Sequence, residues 1–297
     1  MTHRLVDSPR LLFWGPTLIW ASTWHVILYQ LGPVPALNSV ACRFALASAL
    51  LFAIAAARGE AWRLPVRRQP ALMLTGTVQY GLNYWCVYEA ERHIPSGLVA
   101  VLFSLMVFGN AISGAWLFGV PISRRFAASA VVGVVGVALI FLPEVLATGG
   151  RPNAGLGLGI GLLAVASACT GNAMTLRQTR QGVPLVPMLA WSMGYGALSL
   201  LIASGVTGAG FRTGDTPAWW WSLGYLAVIG TVLPFLLYFK LVQRKGPAHA
   251  ALTGVLIPVI ALGVSALLEG WQPGMLSVVG MTLCLGSVFV ATRPAKT

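Results

Sequence analysis

Two amides four residues apart, Gln79 and Asn83, stand in the otherwise apolar stretch TVQYGLNYWC at residues 77 to 86. On a helix that spacing puts both on one face. Each amide donates and accepts hydrogen bonds without carrying charge, and Tyr80 and Tyr84 follow them directly. Such a group suits a neutral or zwitterionic solute with an apolar part. It equally suits the tying of one membrane helix to the next, where a polar contact is worth about 0.6 kcal/mol on average. The sequence leaves both readings open.

Other polar side chains fall at similar depth in other apolar stretches: Ser22, Thr23, Ser104, Ser167, Thr170, Asn172 and Thr231, with Thr253 nearer an end. A hydroxyl in a helix often bonds its own backbone one turn back, so packing stands beside cavity lining for each of them. Trp20, Trp24 and Trp191 lie deep, as core packing or as chamber wall. Trp62, the run Trp219, Trp220 and Trp221, and Trp271 sit near predicted span ends and read as an interfacial belt. The predicted substrate-binding set is therefore Trp20, Thr23, Trp24, Gln79, Tyr80, Asn83, Tyr84, Ser104, Thr170, Asn172, Trp191 and Thr231.

Catalytic chemistry is poorly supplied. The histidines, His3, His25, His93 and His249, are scattered without HExxH or other ligand spacing, and acidic pairs are absent from the apolar interiors. No enzyme activity, metal or cofactor is expected. None of the seven Asp and Glu falls at a predicted midplane. Glu89, Glu91 and Glu269 lie near span ends, and His25, the one deep histidine, reads as a packing residue. Proton coupling thus has no support from the sequence. Arg43 lies inside an apolar stretch, so it either pairs with Glu89 or Glu91 to shape the outer side or snorkels outward. Pro234 and Pro258 interrupt apolar stretches near their middles, as flexing points for gating or as static kinks.

Composition says which elements must position these groups. Hydrophobic residues make up 57% of the 297 and charged ones only 9%, far from the soluble norm, and the apolar residues fall in blocks long enough to cross a hydrocarbon core as helix. The predicted class is an all-α integral membrane protein with ten spans: 11 to 31, 36 to 57, 69 to 91, 96 to 118, 125 to 143, 155 to 177, 186 to 206, 218 to 240, 247 to 268 and 273 to 292. Cys42, Cys86, Cys169 and Cys284 fall in separate spans and read as small apolar fillers. The first residues have a basic start but no small-residue cleavage site, so they read as a first span and not a leader.

The net charge of +12 reflects orientation and not nucleic-acid binding, because its carriers sit in short segments between spans. With the N-terminus in the cytoplasm, fifteen of the nineteen Lys and Arg fall on the cytoplasmic side, while Arg92, Arg151 and Arg212 fall opposite. Both termini are predicted to be cytoplasmic.

A shift of 151 residues lays the segment from Leu82 over that from Leu233 and AWLFG, ending at Gly119, over ALLEG, ending at Gly270; one residue of slip then matches Gly136 with Gly286. Five spans in each half make the repeats inverted. The predicted organisation is a cytoplasmic tail (1–10), a first five-helix repeat (11–147), a linker (148–154), a second repeat (155–292) and a cytoplasmic tail (293–297). Such designs place substrate near the midplane between the repeats and work by alternating access.

The first span FWGPTLIWASTW, the ACRFALA run with Arg43 and Phe44, the segment GVLIPVIALGVSALLEG with Pro258 and Glu269, and the glycines Gly280 and Gly286 together resemble the drug/metabolite transporter superfamily, in particular its EamA-type members. The first half departs from that pattern, carrying Val107 and Phe118 where the second has Pro258 and Glu269. The resemblance implies an exporter in the inner membrane, with the YddG-type exporters of aromatic and other neutral amino acids as nearest functional analogue. Its partners would be a small-molecule substrate and the lipid bilayer, with no nucleic acid, and a monomer would suffice. An exporter or exchanger of another small metabolite or drug is the alternative. A channel would need a charged ring or filter loop, and the chain offers none.

Overall fold

The structure, a computed structural model, describes residues 8–119, 121–146, 153–245, 250 and 252–292. The predicted linker 148–154 and the two tails lie largely or wholly outside these residues.

Thirteen α-helices and two π-helical segments follow one another among the described residues. They are α1 (Pro9–Ile27), α2 (Ala36–Ala57), α3 (Gln69–Thr75), π1 (Gly76–Leu82), α4 (Asn83–Glu91), α5 (Ser96–Ser104), α6 (Met106–Phe118), α7 (Arg124–Leu146), α8 (Ala154–Arg180), α9 (Leu185–Val206), α10 (Pro217–Gly224), π2 (Tyr225–Val232), α11 (Leu233–Lys245), α12 (Thr253–Leu268) and α13 (Met275–Thr292). Prolines start several of them: Pro35, Pro95 and Pro184 are the N-caps of α2, α5 and α9, and Pro217 opens α10, where the Thr216 hydroxyl accepts from the Trp219 N–H at 3.3 Å. Glycine stops others. Gly119 and Gly270, paired by the 151-residue shift, follow α6 and α12 with φ of 65° and 67°, the left-handed cap that glycine takes without strain.

Among the described residues seven helices are long and apolar enough to cross a membrane: Arg10–Gln30, Ala36–Ala57, Ser96–Trp116, Arg124–Pro143, Ala154–Arg180, Leu185–Val206 and Pro217–Val242, and two shorter apolar helices cover Thr253–Leu268 and Met275–Ala291. The remaining predicted span, the third, is helical from Gln69 to Glu91. Its amides, threonines and terminal glutamates keep it out of the apolar group.

Three spans differ from the uninterrupted helices expected. The third and eighth each carry a π-helical segment, π1 and π2, in the middle. Pro234, the second residue of α11, has no N–H to return to the carbonyl one turn back, so the hydrogen bonding widens before it. No proline accompanies π1, which lies instead against α9 at very short range: a Cβ on Gly196 would fall 2.8 Å from the Gly76 carbonyl and 2.7 Å from the Tyr80 Cβ. The fourth span turns at Leu105, between α5 and α6, without a proline. There the Ser104 hydroxyl bonds the Val101 carbonyl at 2.6 Å, a back-bond that bends helices. The break falls two residues before Val107, the counterpart of Pro258, whereas α12 runs on across its proline.

The chain divides into two compact units, and neither is a sequence half. One comprises Met1–His25, Ala90–Leu162 and Leu233–Thr297; the other comprises Val26–Glu89 and Leu163–Val232. In the first unit α7 packs on α13 and α5 on α12. The α7–α13 contact is nearly bare backbone, since a Cβ on Gly136 would fall 2.6 Å from the Cys284 nitrogen and 2.7 Å from the Gly280 oxygen. Gly286, the residue expected to correspond to Gly136, has open space around it. In the second unit α2 packs on α9, π1 on α9 and π2 on α2. Each α-helix pair joins spans that the 151-residue shift superposes, and the two π segments pack reciprocally on the α2–α9 pair.

Candidate functional site: a buried arginine and aromatic cluster

Arg43, on α2, is 2% exposed. Its Nε donates to the Thr231 hydroxyl at 3.1 Å, and that hydroxyl donates in turn to the Leu226 carbonyl five residues back, along π2. The guanidinium carbon lies 4.8 Å from the Tyr84 ring centre and 5.5 Å from that of Phe44, within cation–π range. Phe44 also meets Tyr80 at 5.2 Å and Tyr84 at 4.6 Å. Nη1 of Arg43 is buried and has no hydrogen-bond partner among the described residues. Where the sequence left pairing with Glu89 or Glu91 beside outward snorkelling, the contacts of the buried guanidinium are a hydroxyl and two ring faces. Glu89 lies near the end of α4.

The opening amides belong to the same unit and part company there. Gln79, in π1, donates from Nε2 to the Asn172 Oδ1 on α8 at 3.3 Å, and its side chain lies against Gly171. Asn83, the first residue of α4, is 3% exposed, and among the described residues its Oδ1 is buried without a hydrogen-bond partner, as is Oε1 of Gln79. Gln79 thus ties α8 to π1 through its N–H, and both amides keep a buried acceptor oxygen.

Two predicted members of the set stand apart from this cluster. Thr170 is exposed on a stripe with Leu163 and Ala166 and bonds the Ala166 carbonyl at 2.9 Å. It lies about 200° around α8 from Asn172 at helical rotation, so the two face different sides of that helix. Trp191, expected deep, bonds the Trp62 carbonyl at 2.9 Å through its indole N–H and borders an apolar groove of about 440 Å³ with Phe52, Ala53, Ala56 and Trp62, at the end of α2. In the reverse direction, Trp219, expected in the belt, is buried against Val34 and Leu223, and Trp271 is buried too, while Trp220 and Trp221 are exposed.

The other unit gathers the remaining predicted residues. Trp20 packs against Phe235 and Tyr238 at 5.5 and 5.4 Å, and Trp24 against Phe103 at 5.0 Å. Among the described residues the buried Trp24 indole N–H has no hydrogen-bond partner. Thr23 and Ser22 bond carbonyls one turn back, those of Trp20 and Ile19. Ser104 lies 3.1 Å from the Cys284 sulfur. Pro234 and Pro258 are buried.

One constellation escaped the sequence reading. Glu269 accepts from the Ser96 N–H at 3.1 Å, from the Ser96 hydroxyl and from the Ser265 hydroxyl at 3.1 Å, and its Oε1 lies 3.3 Å from His25 Nδ1. It joins the ends of α1 and α12 to the start of α5. The partners are up to 244 residues apart, so no local spacing announced them. Among the described residues no three His, Cys, Asp or Glu side chains converge as a metal site would require.

The model of the EamA-like transporter family matches this chain twice, over residues 9–142 and 156–293. An inner-membrane transporter of Escherichia coli K12, YedA, whose own function is uncharacterised, is 27% identical over 250 residues, covering 82% of this chain and 78% of its own length. Protein PecM of Dickeya dadantii is 24% identical over 204 residues, covering 64% of this chain and 63% of its own. A solved crystal structure superposes with a TM-score of 0.68 at 17% identity, covering 96% of each chain. At that identity the likeness speaks for the fold.

Proposed function

Because the chain belongs to the EamA-like transporter family, we propose that this multi-pass inner-membrane protein exports small neutral or zwitterionic metabolites, aromatic and other neutral amino acids foremost, by alternating access. The observation that carries the substrate class is the cluster of Arg43, Phe44, Tyr80, Thr231 and the half-buried Tyr84, with Asn83 buried one residue before Tyr84. It offers ring faces, a hydroxyl and an amide, with a single cation. A phosphate ester calls for several Lys or Arg forks, which this group lacks.

The double family match supports a duplicated chain, and so does the pairing of α5 with α12, α7 with α13 and α2 with α9. The Glu269 contacts support the alternation of spans: the ends of the first and ninth and the start of the fourth come together, as an even number of intervening crossings requires. Arg125, at the start of α7, reaches the Val290 carbonyl near the end of α13 at 2.9 Å, which has the same parity.

Purified protein in liposomes, loaded with labelled phenylalanine, tryptophan, threonine or methionine, should release these solutes saturably and retain sugar phosphates. Asn83→Leu should slow release several-fold while folded yield stays normal. Release of sugar phosphates with retention of every amino acid would reverse the choice of substrate.

A further inference from the structure

We infer that Arg43 is the anchor for a substrate carboxylate, a binding role that rests on the transporter reading above and narrows its cargo to solutes carrying that group. An arginine stays charged in proteins. Taking its charge out of water without a counter-ion is costly, and a hydroxyl and cation–π contacts offset that cost only in part. The unit that holds Arg43 has three acids, Glu60, Glu89 and Asp215. Glu60 lies 3.8 Å from Arg58 beyond the end of α2, Asp215 lies in the loop before α10, and Glu89 lies near the end of α4. Among the described residues the guanidinium makes no ion pair: Nε donates to Thr231, and Nη1 is buried without a hydrogen-bond partner.

The surroundings fit an anion that arrives and leaves. Thr231 belongs to π2, and Tyr80 to π1. π-Helical segments recur at functional sites. The faces of Tyr84 and Phe44 flank the guanidinium, so a bound carboxylate would bring its own side chain beside aromatic walls. Asn83, one residue before Tyr84, supplies an unpartnered acceptor, the complement that an ammonium group needs.

The test uses full-length protein in liposomes with labelled phenylalanine inside and unlabelled phenylalanine, phenylalaninamide or phenethylamine as competitors. In the wild type, phenylalanine should compete at least about tenfold better than phenylalaninamide, the ratio that one charge-assisted hydrogen bond supplies. Arg43→Gln, purified as a monodisperse protein, should lose that preference, and Arg43→Lys should keep part of it. Equal competition by phenylalaninamide in the wild type would overturn the role, as would a folded Arg43→Gln that keeps the preference. If Arg43→Gln does not fold, the wild-type competition series decides. Wild-type vesicles that move lactate or pyruvate in an Arg43-dependent way but no amino acid would sink the amino-acid reading and leave the anchor standing. Vesicles that move only solutes without a carboxylate would overturn the anchor and leave the transporter reading intact.

Discussion

Glu269 shows what residue types alone reveal and what they leave out. Its place near a span end was legible, because an ionised side chain is costly at the bilayer centre. Its partners were not, since hydrogen bonds across 173 and 244 residues of chain leave no local pattern. The same limit applied to Arg43, for which Glu89 or Glu91 on the same predicted side of the membrane, or outward snorkelling, were the readings, whereas its contacts are a threonine and two rings. Gln79 and Asn83 shared a predicted face, yet one bonds Asn172 and the other does not, because π1 ends between them and changes the rotation per residue. Glu269→Ala would strand the Ser96 and Ser265 donors and should cost about 1–3 kcal/mol, read as a lower thermal midpoint in detergent. Glu269→Gln, which keeps an acceptor, should cost less. A midpoint unchanged in Glu269→Ala would show that the three helix ends hold together without it.

At the scale of elements, helices were legible wherever apolar length and punctuation agreed, as in α2 and α9 with proline before and glycine after. The interruptions were legible only in part. Pro234 marked π2, but π1 has no proline and follows from backbone packing that composition does not encode. Pro258 suggested a bend in the ninth span, yet the turn in this pair of counterparts falls at Leu105 of the fourth. Glycine spacing pointed at Gly286, whereas the close approach is between Gly136 and Gly280. Gly136→Val should therefore cost about 1–3 kcal/mol by overpacking, and Gly286→Val should be near neutral. Equal thermal midpoints for the two variants would remove the backbone contact of α7 and α13 from the account.

For the whole molecule, the proposed repeat rests on hydropathy and loop length, which a copied segment keeps even where identity fades. The compact units were not legible, because α2 packs on α9, α5 on α12 and α7 on α13, contacts that cut across the order of the chain. The charge bias predicts both chain ends in the cytoplasm. Reporter fusions at each end should be active only as cytoplasmic fusions, and ends on opposite sides would break the parity on which the span order rests. The π segments begin at residues 76 and 225, 149 residues apart, and such helices are well under 1% of residues in proteins. Each holds a surplus residue that an ordinary helix would not accommodate. On the proposed duplication the two widened turns fall within two residues of the same place in each half, so the third and eighth spans would yield at matching depths.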